Sequence, residues 1–309
     1  MQPLHIATPL WEAPQLSSRA GTQVLLKMEA FQPAASFKIR GMGRICQTHA
    51  AAGAGALLCA SGGNAGLAVA YAGRKLGLPT TVVVPKRTSA WARAMIRAEG
   101  AHVEEHGDAW DEAHLYALAL AAQTGAAYAH PFDDPLAWAG HATLVEELAA
   151  AGVHPGAVIV SVGGGGLLCG VVEGLMAQAW NDVPVLAVET AGAASYMAAF
   201  QAGAPVRLEA ITSIAVTLSA RQVAVRSIEL ARSHPIIPHL VSDRAAVDAC
   251  RNFADQHRVL VEPACGAALA ALDNLPQELR GRDPLLVVVC GGAGVSLELL
   301  RQWDAQLAA

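Results

Sequence analysis

Charge is scarce in this chain, and several other features are missing altogether. Asp, Glu, Lys and Arg make up 15% of its 309 residues, against 53% hydrophobic ones, a balance that excludes a disordered polymer. The net charge of −5 and pI near 6.1 give no electrostatic footprint for nucleic acid or an anionic membrane. No CxxC pair occurs among the six cysteines (Cys46, Cys59, Cys169, Cys250, Cys265, Cys290), and no secretory leader precedes them. Reduced thiols and a cytoplasmic protein are expected. Residues 148–172 lack Asp, Glu, Lys and Arg over a length that would span a bilayer. His154, Pro155 and four glycines interrupt that run, so it reads as strand, loop and helix. No repeat, low-complexity tract or linker marks a domain boundary.

What is present is an alternation. Short β-branched runs stand at 23–28, 56–60, 81–85, 101–105, 157–162, 183–189 and 285–290. Ala-rich helical stretches fall near 39–50, 64–76, 88–99, 108–123, 135–150, 167–180, 193–202, 243–257 and 293–304. That order predicts an α/β fold, with parallel sheets flanked by crossover helices. Several strands are apolar throughout, as expected where helices cover both faces. The turn-rich stretches "EAFQPAAS" (29–36) and "HPFDDPLA" (130–137) are the best candidate boundaries. They divide the chain into a large domain, 1–31 with 135–309, and a small one, 32–134, with the site expected in the cleft between them.

Three glycine-rich elements sit where strands end and helices are expected to begin: "SGGNAG" (61–66), "VGGGGL" (162–167) and "CGGAG" (290–294). In the second, missing side chains let backbone N–H groups converge on an anion, and the helix that follows adds its own free N–H groups. A tight turn without a ligand would need only one or two glycines. Phosphate does not identify its owner. Gly164, Gly166 and Gly170 form a loosened dinucleotide fingerprint, and Glu189 stands about where a ribose-binding acid would. The glycine spacing nevertheless misses GxGxxG in every register. Lys38, in "SFKIRG" (36–41), reads either as a solvated helix-start cation or as an amine set beside the Phe37 ring. An amine for a Schiff base, a phosphate cradle and a flat apolar face are the parts that pyridoxal phosphate requires.

"SFKIRG", "SGGNAG", "GGGGL" and "CGG" occur in the order found in fold-type II pyridoxal-phosphate enzymes, whose fold is that of the tryptophan synthase β subunit. With "PFDDPLAWAGHATLVEEL" (131–148), "LVEPACGAALAA" (260–271) and "VVVCGG" (287–292), the whole chain resembles the serine/threonine dehydratase family, and within it the short L-serine dehydratases. The resemblance implies that Lys38 holds the cofactor as a Schiff base and that Phe37 packs near its ring. It implies that Asn64 bonds the phenolic oxygen, and that Gly163, Gly164, Gly165, Gly166 and Leu167 hold the phosphate. Ser61, with Gly62, Gly63 and Asn64, would receive the substrate carboxylate. Cys290 would face the pyridine nitrogen. A neutral thiol cannot keep that nitrogen protonated, so the ring is a poorer electron sink and β-elimination is favoured. Expected chemistry is L-serine to pyruvate and ammonia, with weaker action on L-threonine to give 2-oxobutanoate. Lys38 would take the α-proton. Glu189 and Ser195 match a segment that holds a monovalent cation, potassium, although a helix cap suits Glu189 equally. A homodimer is normal for the family. The stretch after the last expected helix is short, so no appended regulatory domain is expected.

Three departures stand out. Gly62 is expected to leave a gap beside the substrate. Thr217, in "IAVTLS" (214–219), lies where a smaller residue commonly meets the ring. "QPAASF" has alanines where the family often shows Ser-Gly. Within the fold, a racemase or β-replacement enzyme is the alternative; outside it, a nicotinamide-dependent oxidoreductase or a catalytically weak cofactor-binding protein. "HVEEH" (102–106) matches an inverted zincin pattern, but Gly100 and Gly107 flank it too closely for the helix such ligands need, so a strand is expected. The remaining cysteines read as small buried apolar residues, and His141 as a structural hydrogen-bonding residue.

Overall fold

The computed structural model describes residues 2–308. In chain order the strands are β1 (Leu10–Glu12), β2 (Val24–Lys27), β3 (Leu57–Ala60), β4 (Thr80–Val84), β5 (His102–Glu105), β6 (Ala127–Tyr128), β7 (Ala157–Ser161), β8 (Val185–Thr190), β9 (Ile236–Val241) and β10 (Leu285–Val288). The helices are α1 (Pro14–Ala20), α2 (Lys38–Ala51), α3 (Asn64–Leu76), α4 (Ala90–Ala98), α5 (Trp110–Thr124), α6 (Pro135–Ala150), α7 (Gly166–Ala177), α8 (Ser195–Ala202), α9 (Val225–Leu230), α10 (Asp243–His257), α11 (Pro263–Ala270) and α12 (Leu297–Ala308). The α/β class is as expected.

Two compact units share these elements. The smaller takes Gln32–His141 with the residues up to Ile6, and the larger takes Ala7–Phe31 with the residues from Ala142 onward. The smaller unit therefore runs past the expected boundary at 134. Its extension has a physical cause in close helix packing: a Cβ on Gly140 would lie 2.3 Å from the Arg40 carbonyl oxygen, and one on Gly41 would lie 2.6 Å from the His141 ring. Two glycines let α6 and α2 approach backbone to backbone, which ties the start of α6 to the smaller unit.

The smaller unit is built on a four-stranded parallel sheet, β5-β4-β3-β6. Central β3 is buried along its length, while edge β5 is exposed at both ends. "HVEEH" is that edge strand, and its acids are engaged laterally: Glu104 accepts the Tyr116 hydroxyl and Glu105 pairs with Arg93. The larger unit carries a six-stranded sheet, β1-β2-β10-β7-β8-β9, parallel except for the antiparallel β1. Every residue of β7, β8 and β10 is buried, as two-sided helical cover requires.

Strands β1, β6 and β9 escape a pattern reading for identifiable reasons. The first two are three and two residues long. Strand β9 carries Pro238, which argues against a strand in sequence but is harmless on an edge. Helix α11 is buried all round and so has no amphipathic period to detect. Among the described residues, no helix is long and apolar enough to cross a membrane.

Candidate active site

In each unit the glycine-rich elements leave the carboxyl ends of parallel strands, the place where open α/β sheets present ligand sites. In the smaller unit, β3 ends at Ala60 and Ser61–Gly63 lead into α3, which begins at Asn64. The Ser61 hydroxyl accepts the Gly63 N–H at 3.3 Å, and no side chain caps the helix. The N–H groups of Ala65 and Gly66, in its first turn, accordingly point toward the loop, where a helix start favours an anion such as a carboxylate. Helix α3 also sits so close to this loop that a Cβ on Gly66 would lie 2.0 Å from the Ser61 carbonyl oxygen. The expected gap at Gly62 is not there. A Cβ at Gly62 would fall 2.5 Å from Oγ1 and 2.7 Å from Cγ2 of Thr88, so the Thr88 side chain already occupies the space.

Lys38 is the first residue of α2, and its Nζ donates to the Pro131 carbonyl at 2.6 Å. The amine also lies 5.2 Å from the centre of the Phe37 ring. Burial pushes the Cys59 thiol, on β3, up to about 12, opposed by the charge of Lys38. Just upstream, Ala35 sits at φ +59°, a left-handed conformation that costs an alanine about 1 kcal/mol. This is one of the positions where the family pattern often has glycine.

His141 is completely buried against Phe37, with ring centres 4.9 Å apart, yet neither ring nitrogen has a hydrogen-bond partner. The expected structural hydrogen bond is absent. Burial, then the positive charges of Lys38 and Arg40, holds its pKa well below the ordinary histidine value, so the ring is neutral.

In the larger unit, strands β10, β7 and β8 lie side by side and run parallel, which brings their carboxyl ends to one edge. From β7 leads the run Gly163–Leu167. Gly165 precedes α7 at φ +86°, and the helix has no side-chain cap. A Cβ on Gly163 would lie 3.0 Å from the Thr217 carbonyl oxygen and 3.1 Å from Leu218 Cα, so the backbone of the 216–218 turn crosses directly over the loop. Thr217 therefore matters here through its main chain. That crossing segment is held by a polar relay that pattern reading missed. Thr190, at the end of β8, donates to Ser213 Oγ at 2.7 Å, and Ser213 donates to Asp243 at 2.6 Å. Asp243 also accepts the Ile214 N–H at 3.1 Å.

Cys290 follows β10, is 5% exposed, and takes the Ser161 hydroxyl at 3.5 Å. The loop after it is pinned by Glu262, another residue sequence reasoning missed, whose carboxylate accepts the Gly294 N–H at 2.7 Å. Helix α12 starts at Leu297, later than expected, so "CGGAG" is a pinned loop and not a helix-opening anion cradle. Glu189 lies on β8 and accepts the N–H groups of Tyr196 and Met197 at 2.7 and 2.8 Å, which makes it the cap of α8. Burial raises its pKa to about 7, against those bonds. Both structures of an anion cradle, a glycine run and an uncapped helix, thus converge at Gly163–Leu167, while Glu189 serves a different helix.

The family of pyridoxal-phosphate dependent enzymes matches residues 1–291. The chain belongs to that family. It is 48% identical over 316 residues to the human protein "L-serine dehydratase/L-threonine deaminase", covering 99% of this chain and 96% of the relative. Its fold is similar to that of the L-serine ammonia-lyase from the fungus Rhizomucor miehei, with a TM-score of 0.92, 39% identity and 99% coverage of both chains. Maize serine racemase is also similar, with a TM-score of 0.90 and 26% identity, over 99% of this chain and 94% of that one. The residues present fit the family's cofactor. In the larger unit the Gly163–Leu167 backbone is a cradle at a helix end that no side chain caps, and Cys290 supplies a buried thiol; in the smaller unit Lys38 supplies an amine.

Proposed function

We propose that this enzyme eliminates water from L-serine to give pyruvate and ammonia, and acts more weakly on L-threonine to give 2-oxobutanoate. The observation that carries the reading is Cys290, a buried thiol whose partners among the described residues, the Ser161 hydroxyl and the Gly291 carbonyl, are neutral, in a chain whose close relative is named for serine and threonine. When bound, pyridoxal phosphate supplies an electron sink for the charge left at the α-carbon. The chain's own residues do the rest. Gly163 to Leu167 hold the phosphate through backbone N–H groups and the positive end of α7. Ser61 to Asn64, at the start of α3, bind and orient the substrate carboxylate, and Asn64 would help hold the cofactor by its phenolic oxygen. Phe37 offers an apolar face, and Lys38 carries the α-proton on Nζ. Cys290 would offer the pyridine nitrogen a neutral partner.

The test is direct. Purified protein with pyridoxal phosphate should show a visible absorption band that borohydride abolishes, and should form pyruvate steadily from L-serine. Lys38→Ala should lose both; steady pyruvate formation by that variant would sink the scheme. The likeness to a serine racemase favours one second reading, D-serine as product, which chiral analysis of the same reaction separates. Potassium at Glu189 and Ser195 belongs to this proposal, supported by the buried carboxylate at the end of β8. Exchanging potassium for choline should lower the melting temperature of the wild type and leave Glu189→Gln unmoved. A cytoplasmic homodimer completes the reading, and six free, buried thiols suit a reducing compartment.

A further inference from the structure

The motif "HPFDDP" (130–135) touches the proposed active lysine. Its residues lie in the smaller unit with Lys38. The His130 ring accepts two backbone N–H groups on one atom, Nδ1: Asp133 at 2.8 Å and Phe132 at 3.3 Å. A side-chain acceptor that takes the N–H groups two and three residues onward is the hydrogen-bond pattern of an Asx turn or helix N-cap, here made by an imidazole. An Nδ1 that accepts leaves the ring proton on Nε2.

Between His130 and Phe132 stands Pro131, and its carbonyl takes the Lys38 Nζ at 2.6 Å. The turn is braced on both sides. Trp138 Nε1 donates to the Phe132 carbonyl at 2.8 Å. The His130 ring meets Phe132, His114 and Trp110 edge-on, with centres 4.7, 5.2 and 5.9 Å away. Trp110 stacks on His114 at 4.8 Å and donates its Nε1 proton to the Ala60 carbonyl at 2.8 Å, one residue before Ser61. His114 Nδ1 bonds the Tyr128 hydroxyl at 2.7 Å. One aromatic wall therefore fixes both the start of the 61–64 loop and the carbonyl that faces the lysine.

We infer that His130 is a positioning residue: by closing the 130–133 turn it aims the Pro131 carbonyl at the Lys38 amine. That carbonyl is a neutral acceptor for one amine proton. It orients Nζ and favours its protonated form, the form Lys38 holds after taking a proton from the substrate. This role rests on the reading of Lys38 given above.

The test compares His130→Phe, which keeps an aromatic ring of similar size without the acceptor, with His130→Asn, whose amide oxygen caps such a turn by the same two bonds. Two readouts are taken on the full-length protein. The first is the acylation rate of Lys38 in the cofactor-stripped chain, followed by mass spectrometry of the lysine-containing peptide. His130→Phe should raise it about fivefold, because an amine without its acceptor is less protonated, and His130→Asn should match the wild type. The second is turnover of L-serine: His130→Phe should lose about tenfold in kcat with KM within about twofold, and His130→Asn should recover most of it. His130→Leu makes the same comparison if the Phe variant does not fold. Equal Lys38 reactivity in all the proteins, or equal damage in the Asn and Phe variants, overturns the assignment. A wild type that forms no pyruvate counts against the proposed reaction instead, while Lys38 acylation still decides the role of His130.

Discussion

The two glycine loops look alike in sequence and are built on opposite principles. At 61–64, in the smaller unit, the loop displays side chains, Ser61 and Asn64, and the space above Gly62 is filled by the tip of Thr88. At 163–167, in the larger unit, the loop displays backbone only, and backbone of the 216–218 turn covers it. A side chain can shift aside for an added methyl group at less cost than a crossing main chain can. The first loop is therefore adjustable, as a substrate site is, and the second is rigid, as suits an invariant phosphate.

The sharpest way to break this contrast is Gly163→Ala. It should weaken pyridoxal-phosphate binding about tenfold to a hundredfold, measured by titrating cofactor into stripped protein, because the Thr217–Leu218 main chain must shift. Gly62→Ala, by contrast, should cost less than about tenfold in kcat/KM for L-serine: Oγ1 and Cγ2 of Thr88 both face the new methyl group, so rotation relieves one contact and a small shift of that side chain relieves the other, with no main chain crossing the loop. Thr88→Ala in the Gly62 background opens the gap that the wild type lacks, and should change the serine-to-threonine ratio of kcat/KM by about threefold or more. Equal losses for Gly62→Ala and Gly163→Ala would remove the distinction.

The wall beside the first loop supplies a pH test. Burial, with the charges of His114 and Lys38 adding to it, pushes the His130 pKa down to about 3. The unfolded chain takes up a proton here near the ordinary value of about 6.5, and the folded chain does not. Stability from this group is thus fully present above pH 6.5 and is lost as pH falls toward 3. His130→Asn removes that titration, so its acid-unfolding midpoint should lie below that of the wild type. An unchanged midpoint would mean that His130 protonates freely in the folded protein. The smallest expected effect is at Ala35. Ala35→Gly should raise stability by at most about 1 kcal/mol in denaturant unfolding, since relief of the left-handed strain is partly offset by unfolded-state entropy.

Much of the molecule is legible without coordinates. Strands β2, β3, β4, β5, β7, β8 and β10 announce themselves as β-branched runs, and the four motifs around Lys38, Ser61, Gly163 and Cys290 place the family. What hides is what lacks a local pattern: a two-residue strand, an edge strand containing proline, and a helix buried on every side. Glu189 shows the limit well. Its position in sequence suits a ribose ligand, a cation site or a cap, and only the fold brings Tyr196 and Met197 N–H groups to its carboxylate.

The sequence alone determined the fold class and the cofactor family, and singled out the candidate amine and phosphate loop, because those depend on local period, turn chemistry and motif order. Tertiary structure alone decided that Thr88 fills the space at Gly62, that Thr217 acts through its backbone, that His141 lacks a partner, and that His130 aims a carbonyl at Lys38. Each of those facts is a contact between residues distant along the chain. Such contacts arise from how helices and sheets pack, and no spacing within a motif encodes them.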